Sequence, residues 1–317
     1  MLTDPNSLVL GVDVGGTNIR LAVVDAKANI IGRRQHEARL SQHGAGSDAA
    51  QSMTLVLDAL EDAIRPLLER HPDIAGIGVG FPGFFDNQTG SMLYSPNIPG
   101  LSNVPLAEQL TKRLGRTVQV QNDASLAALG EFRFAFGGKL SSLLHLTLGT
   151  GIGGGVIMYG RLYTGDGGMA MEIGHLRVAP EDRLCGCGAR GCMETWASAS
   201  AVAERYKELS GMQADARKVG QLATAGDEHA LAVLNDAGRI LGRGIAEAVK
   251  LLDIRQVSIS GGLTGSWRYF APSMQKELDA NLLPPLVGKV SVQCSLLGDD
   301  AGILGAAALA LGGIHKG

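Results

Sequence analysis

Neither sign of charge dominates this chain of 317 residues: 28 lysines and arginines stand against 31 acids, a net charge of −3. That balance leaves no cationic surface to make nucleic acid or an anionic membrane the main partner. Long apolar runs are missing as well, and none reaches the ~20 residues a membrane-spanning helix needs. The opening stretch MLTDPNSLVLGVD carries Asp4 and no basic segment, unlike a secretory signal. Cysteine is scarce. Of the four, three lie between positions 185 and 192, and Cys294 is left without a partner. The expectation is a soluble cytoplasmic protein, long enough for two domains with a substantial core in each.

What the chain has in excess is glycine, 45 residues. The glycines bunch in GVDVGGT, GIGVGFPG, LGTGIGGG and ISGGLTG. Each bunch sits where a strand ends, and there a backbone turns tightly or lets a ligand approach.

The three clustered cysteines share their neighbourhood with a histidine. His175, Cys185, Cys187 and Cys192 read H-x9-C-x-C-x4-C within EIGHLRVAPEDRLCGCGARGCME. Four soft ligands at this spacing suit a closed tetrahedral Zn2+ site, structural because protein fills every position. Free buried cysteines or a disulfide are the alternatives, although Cys-x-Cys side chains point apart and rarely pair. Glu172 and Glu194 flank the segment.

Hydrophobic periodicity outlines the rest. Leu8 to Val14 and Ile19 to Asp25 read as a hairpin turning at GGTN. Asp48 to Arg70 reads as an amphipathic helix with Pro66 in or near its last turn, and Ile74 to Gly80 as a buried strand. Pro105 to Leu114 is a helix closed by Gly115. A strand over Thr117 to Gln121 leads through Asn122 and Asp123 into a helix over Ala124 to Phe132. A second glycine hairpin joins Ser142–Leu148 to Gly151–Tyr159. Helices follow over Ser198–Leu209 and Glu228–Leu252, then strands over Gln256–Ser260 and Val290–Cys294 and a helix over Asp300–Leu311. The repetition predicts two similarly built α/β domains around a cleft. A small one spans 1–120, with the helix in 301–317 packing back onto it; a larger one spans 121–300 and carries the cysteine loop.

Several of these segments offer chemistry. In GVDVGGTNIR, the turn Gly15-Gly16-Thr17 offers N–H groups and a hydroxyl to phosphate oxygens. Asp13 there suits the water shell of Mg2+. The Lys-Ser/Thr ending of a Walker A loop is absent, and an ordinary glycine hairpin reads equally well. LTLGTGIGGG repeats the turn as Gly149-Thr150-Gly151, so two phosphate-type turns, one in each domain, suggest a nucleotide tail held from both sides. Asp123 sits at a strand-to-helix junction, either as an N-cap or as a base with Asn122 orienting the same substrate. Glu172 and Glu194, braced by a metal loop, suit the hydroxyls of a polyol; two plain surface glutamates are the alternative.

With these motifs in view the chain resembles the ROK family of sugar kinases, in particular its zinc-containing bacterial glucokinase branch. The likeness runs through GVDVGGTNIR, FPGFFDNQTG, SPNIPG, VQVQNDASLAALGE, LTLGTGIGGG, EIGH, CGCGARGCME, ISGG and GILGAAALA. It implies an α/β, two-domain actin-like ATPase (ribonuclease H-like) fold with an interdomain cleft. It also implies transfer of the ATP γ-phosphoryl group, with Mg2+, to a hexose hydroxyl, usually on C6. By that likeness Asp123 is the catalytic base, and Asn122, Glu172, His175 and Glu194 hold the sugar. Gly83 and Asn97 are further sugar contacts, and Gly261 and Gly262 match an adenosine-side turn. His175 then serves twice, one ring nitrogen on zinc and the other toward the sugar. A homodimer or tetramer is the implied assembly.

Three positions depart from the family pattern: Met171 where glycine is usual, Gln121 where glutamate is common, and Ser125 where asparagine is common. Glucose is the expected substrate, with an N-acetylhexosamine (N-acetylmannosamine or N-acetylglucosamine) as alternative. A non-catalytic sugar sensor or regulator is the reading from another class, and a polyphosphate-using kinase a rival within the enzymes. Family repressors carry a DNA-binding segment ahead of the first glycine turn, and Asp13 arrives too early for one.

Overall fold

The computed structural model describes residues 7–38, 40, 49–86, 89–95, 98 and 101–312. Its contacts divide the chain into two units, Met1–Leu140 with Arg161–Ala170 and Asp300–Gly317, and Ser141–Gly160 with Met171–Asp299.

In the first unit, β1 (Leu8–Val14) and β2 (Asn18–Val24) form the glycine hairpin and β3 (Ile30–Glu37) adds to its edge. Helix α1 (Ala49–Arg70), with Pro66 inside it, leads to β4 (Ile74–Phe81). A small antiparallel sheet of β5 (Phe84–Phe85), β6 (Met92–Tyr94) and β7 (Ser102–Val104) follows. Helix α2 (Leu106–Leu114) ends on Gly115, whose φ of 64° is the left-handed conformation glycine takes without steric cost. Then come β8 (Val118–Asn122) and α3 (Asp123–Gly130), which runs on as a π-helix over Glu131–Ala135. The sheet order is β3-β2-β1-β4-β8, with β4 parallel to β1 and β8 parallel to β4.

The second unit repeats that plan. Strands β9 (Ser142–Leu148) and β10 (Ile152–Met158) form a hairpin, and the short β11 (Arg161–Tyr163) follows in the chain. Helices α4 (Glu194–Ala197), α5 (Ala199–Ser210), α6 (Ala216–Thr224) and α7 (Glu228–Leu252) lead to β12 (Gln256–Ser260). Helix α8 (Trp267–Asn281) leads to β13 (Ser291–Cys294). Strand β12 lies parallel to β9, and β13 parallel to β12. The order β10-β9-β12-β13 therefore matches β2-β1-β4-β8 strand for strand.

Each unit has its own core. Leu10, Val12, Leu60, Ile64, Ile77 and Val79 are buried in the first, and Leu144, Leu146, Ile245, Val257, Ile259 and Phe270 in the second. A small polar network lies inside the second. His145 on β9 is fully buried, with Nδ1 2.7 Å from Ser258 Oγ and Nε2 2.9 Å from Ser260 Oγ on β12.

The final helix, α9 (Ala301–Gly312), belongs to the first unit. Its backbone approaches so closely that a Cβ on Gly78 of β4 would lie 1.8 Å from the Ala306 carbonyl oxygen. A Cβ on Gly305 would lie 1.7 Å from that of Leu126 in α3. This packing of α9 on α3 keeps residues 121–140 with the first unit, past the division expected near 120. No helix among the described residues is long and apolar enough to cross a membrane.

Candidate active site and metal centre

The β1–β2 turn carries Gly15, Gly16 and Thr17, closed by a 2.9 Å bond from the Gly15 N–H to the Asn18 carbonyl. Gly15 and Thr17 are exposed. Asp13 and Arg20 are register partners on the two strands and their side chains form an ion pair. Gly302, in the first turn of α9, lies so near that a Cβ there would be 3.1 Å from the Asp13 carboxyl carbon. The carboxylate thus sits by a helix N-terminus, where the backbone dipole favours negative charge.

At the β8–α3 junction the N-cap is Asn122, not Asp123: the Asn122 side chain accepts from Ser125 N–H at 2.9 Å. Asp123 is the first residue of the helix, and its Oδ1 accepts from Ala124 N–H at 2.8 Å. The Asn122 amide also donates to the Gly83 carbonyl at 3.2 Å, which joins two of the sequence-predicted residues. A Cβ on Gly83 would meet the Tyr94 carbonyl at 2.8 Å, so the backbones there touch. Asn97 lies outside the described residues. The departures Gln121 and Ser125 are both buried, and the Gln121 side chain accepts from Asn122 N–H.

In the second unit two glycine turns meet. Gly149, Thr150 and Gly151 join β9 to β10, and Gly261 and Gly262 follow β12. A Cβ on Gly261, at φ 98°, would lie 2.3 Å from the Leu148 carbonyl, so only glycine lets these strand ends come together. Thr147, two residues before the first turn, and Ser260, one residue before the second, have their hydroxyls 3.3 Å apart.

The histidine and the three clustered cysteines converge: one ligand atom from each of His175, Cys185, Cys187 and Cys192 lies within 4.8 Å of the others. A tetrahedral zinc with ordinary bond lengths has S···S edges of about 3.8 Å and S···N edges of about 3.6 Å. Here Cys187 Sγ is 3.7 Å from Cys192 Sγ, and Cys185 Sγ is 3.5 Å from His175 Nδ1. The donor set therefore fits a metal of zinc's size. Tight turns hold it, with Gly188 at φ 85° and Gly191 at φ 81°. The Cys185 N–H donates to Ala189 at 2.8 Å, and Met193 N–H to Leu176 at 2.9 Å. Burial, and after it the neighbouring Cys187 and Cys185 sulfurs, push the Cys192 thiol up to about 12.

With Nδ1 turned to the cysteines, His175 Nε2 faces Glu172, 3.8 Å from its Oε2. Burial, with Glu194 adding to it and His175 opposing, holds the Glu172 carboxyl above the usual range. Glu194 has a partner that the sequence did not suggest: its Oε2 accepts from Ile152 N–H at 2.8 Å, at the end of the glycine turn. Met171 takes φ 73°, the region glycine would occupy without strain, and its side chain packs against the second core.

Two copies of a hairpin followed by parallel strands, each copy with a glycine turn, define an actin-like ATPase fold. The chain belongs to the ROK family, whose signature matches residues 9–312. It is 35% identical to a glucokinase of Thermotoga maritima, over 96% of this chain and 98% of that one. It is 32% identical to an N-acetylmannosamine kinase of Shigella flexneri, over 96% and 98%. Among solved structures, a ROK family glucokinase from Streptomyces griseus in complex with glucose and AMPPNP superposes with a TM-score of 0.82. The identity is 30%, over 96% of this chain and 99% of that one.

Proposed function

We propose that this protein is an ATP-dependent hexokinase that phosphorylates the C6 hydroxyl of a hexose, with glucose as the preferred acceptor. The observation that carries the reading is the placement of Asp123 at a helix N-terminus that Asn122 caps. Asp123 is the first residue of that helix, and its Oδ1 accepts from Ala124 N–H at 2.8 Å, so the helix's own backbone fixes where the carboxylate stands.

In this reading Asp123 accepts the proton of the attacking hydroxyl, a role worth about 10^2 to 10^4 in rate. Asn122, Glu172, His175 Nε2 and Glu194 orient the sugar, with Gly83 and Asn97 beside it. The turns Gly15-Gly16-Thr17 and Gly149-Thr150-Gly151 donate N–H groups to the nucleotide's phosphates, and Gly261 and Gly262 border its adenosine. Phosphoryl transfer asks chiefly for positioning and charge neutralisation, which these donors and the nucleotide's Mg2+ provide. Asp13, already paired with Arg20, would orient water on that Mg2+. His175, Cys185, Cys187 and Cys192 would hold Zn2+, which would supply a cross-link, and with Nδ1 given to the metal His175 would keep Nε2 for the sugar. The pathway is carbohydrate breakdown, and the assembly a homodimer or tetramer.

An ADP-release assay across hexoses and N-acetylhexosamines tests the reading. Glucose should give the highest kcat/KM. A higher value for N-acetylmannosamine or N-acetylglucosamine would move the substrate to the amino sugars, as the Shigella flexneri relative's name suggests. No ADP release with any sugar would leave a sensor.

A further inference from the structure

The segment that follows Cys192 is tied twice to the turn between β9 and β10. Glu194 Oε2 accepts from Ile152 N–H at 2.8 Å, and Ala199 N–H donates to the Gly149 carbonyl at 2.8 Å. These bonds grip the turn at both ends. Gly151 lies between them, and a Cβ there would stand 2.2 Å from Glu194 Oε2, so that oxygen lies close against the turn's backbone. At its other end the segment is anchored by Met193 N–H to Leu176, beside His175 in the chain.

We propose that Ala199 and Glu194 are positioning residues for the Gly149-Thr150-Gly151 turn, and that through them the cysteine strap sets nucleotide affinity as well as sugar geometry. A turn that must present several N–H groups to phosphate is useful only if it is ordered before the ligand arrives, because ordering on binding subtracts from affinity. Gly149 and Gly151 have no side chains to order it, and beyond the turn's own bond from Gly149 N–H to the Gly151 carbonyl at 3.0 Å, further order has to come from outside. The strap supplies it from residues two and seven positions after Cys192. The inference rests on the kinase reading above, specifically on the turn's contact with nucleotide.

The backbone bond from Ala199 can be removed cleanly. Ala199 is the first residue of α5, where proline is well tolerated and its missing N–H is not needed by the helix. Ser198 before it has φ −76° and ψ 163°, the extended conformation that a following proline requires, and its hydroxyl still caps Ala201. The test is equilibrium binding of a non-hydrolysable ATP analogue, by calorimetry, to wild type, Ala199→Pro and Ala199→Gly. Hexose KM is measured alongside. Ala199→Pro should bind the analogue about five-fold more weakly, the equivalent of one ordinary hydrogen bond. Its hexose KM should stay within about two-fold, and Ala199→Gly, which keeps the N–H, should match wild type. An analogue affinity in Ala199→Pro equal to wild type overturns the inference while leaving the kinase reading intact. No analogue binding by the wild type overturns the kinase reading itself. Should Ala199→Pro fail to fold, Gly151→Ala takes its place, since its methyl displaces Glu194 from Ile152; unchanged analogue affinity there counts against the proposal equally.

Discussion

Acid should weaken this fold through one side chain, His145. It is fully buried, and each ring nitrogen faces a serine hydroxyl, Ser258 at 2.7 Å and Ser260 at 2.9 Å. A neutral imidazole offers one donor and one acceptor, and both are used. Burial lowers its pKa from 6.5 to about 3. Above pH 6.5 the ring is neutral in the folded and the unfolded chain, and the network contributes in full. Below that the unfolded chain binds a proton which the folded one refuses until about pH 3, so stability falls as pH falls through this window. Each pH unit removes up to about 1.4 kcal/mol, or roughly 2 kcal/mol by about pH 5. That is a sizeable part of the roughly 5–15 kcal/mol typical of a domain. The assay is urea unfolding at several pH values, for wild type and His145→Gln. The variant should be less stable near neutrality by about 1–3 kcal/mol, yet lose less on acidification. Parallel pH profiles for the two proteins would refute the argument, as would an imidazole resonance assigned to His145 that titrates near 6.5 in the folded protein.

Three further outcomes are expected. Asp123→Asn should keep hexose affinity and lower kcat by about 10^2 to 10^4; steady-state ADP release with sugar binding measured by calorimetry separates the two, and near-normal turnover removes Asp123 as base. Cys187→Ser should lose its bound metal, as measured by elemental analysis, and melt at a lower temperature, because a tetrahedral site rarely survives with three ligands; full metal content in the variant would count against the ligand set. Gly305→Ala, which places a methyl against the Leu126 carbonyl, should cost about 3 kcal/mol or more in denaturant unfolding. Gly312→Ala, with nothing within 4 Å, should be nearly silent by the same measurement.

How much of this could be read from the chain follows from the range of each interaction. The glycine-bounded strands Leu8–Val14, Ser142–Leu148 and Gln256–Ser260 have the ends that the sequence suggests, because apolar runs and breakers are local signals. The histidine–cysteine cluster was legible for the same reason, its ligands falling within eighteen positions. Helices α6 and α8 were missed. Pro272 interrupts the second, although Phe270, Met274 and Leu278 recur every four residues and all are buried. That spacing was the available signal. The cap at the β8–α3 junction was out by one residue, since Asn122 and Asp123 are both good caps and the backbone decides between them. Arg20 opposite Asp13 follows from hairpin register. The bond from Glu194 to Ile152 spans 42 positions, and only the folded chain brings the two together.

Helix α9 lies so close to β1, β4 and α3 that Gly11, Gly78 and Gly130 all face its main chain with no room for a side chain. Strands β1 and β4 therefore receive their cover from a helix that follows them in the chain by more than two hundred residues. While the polypeptide is still emerging from the ribosome, that face of the sheet stays bare. It is a furrow shaped for a helix, open to chaperones and to other nascent chains. A chain that stops before position 301 lacks the helix that fills this furrow.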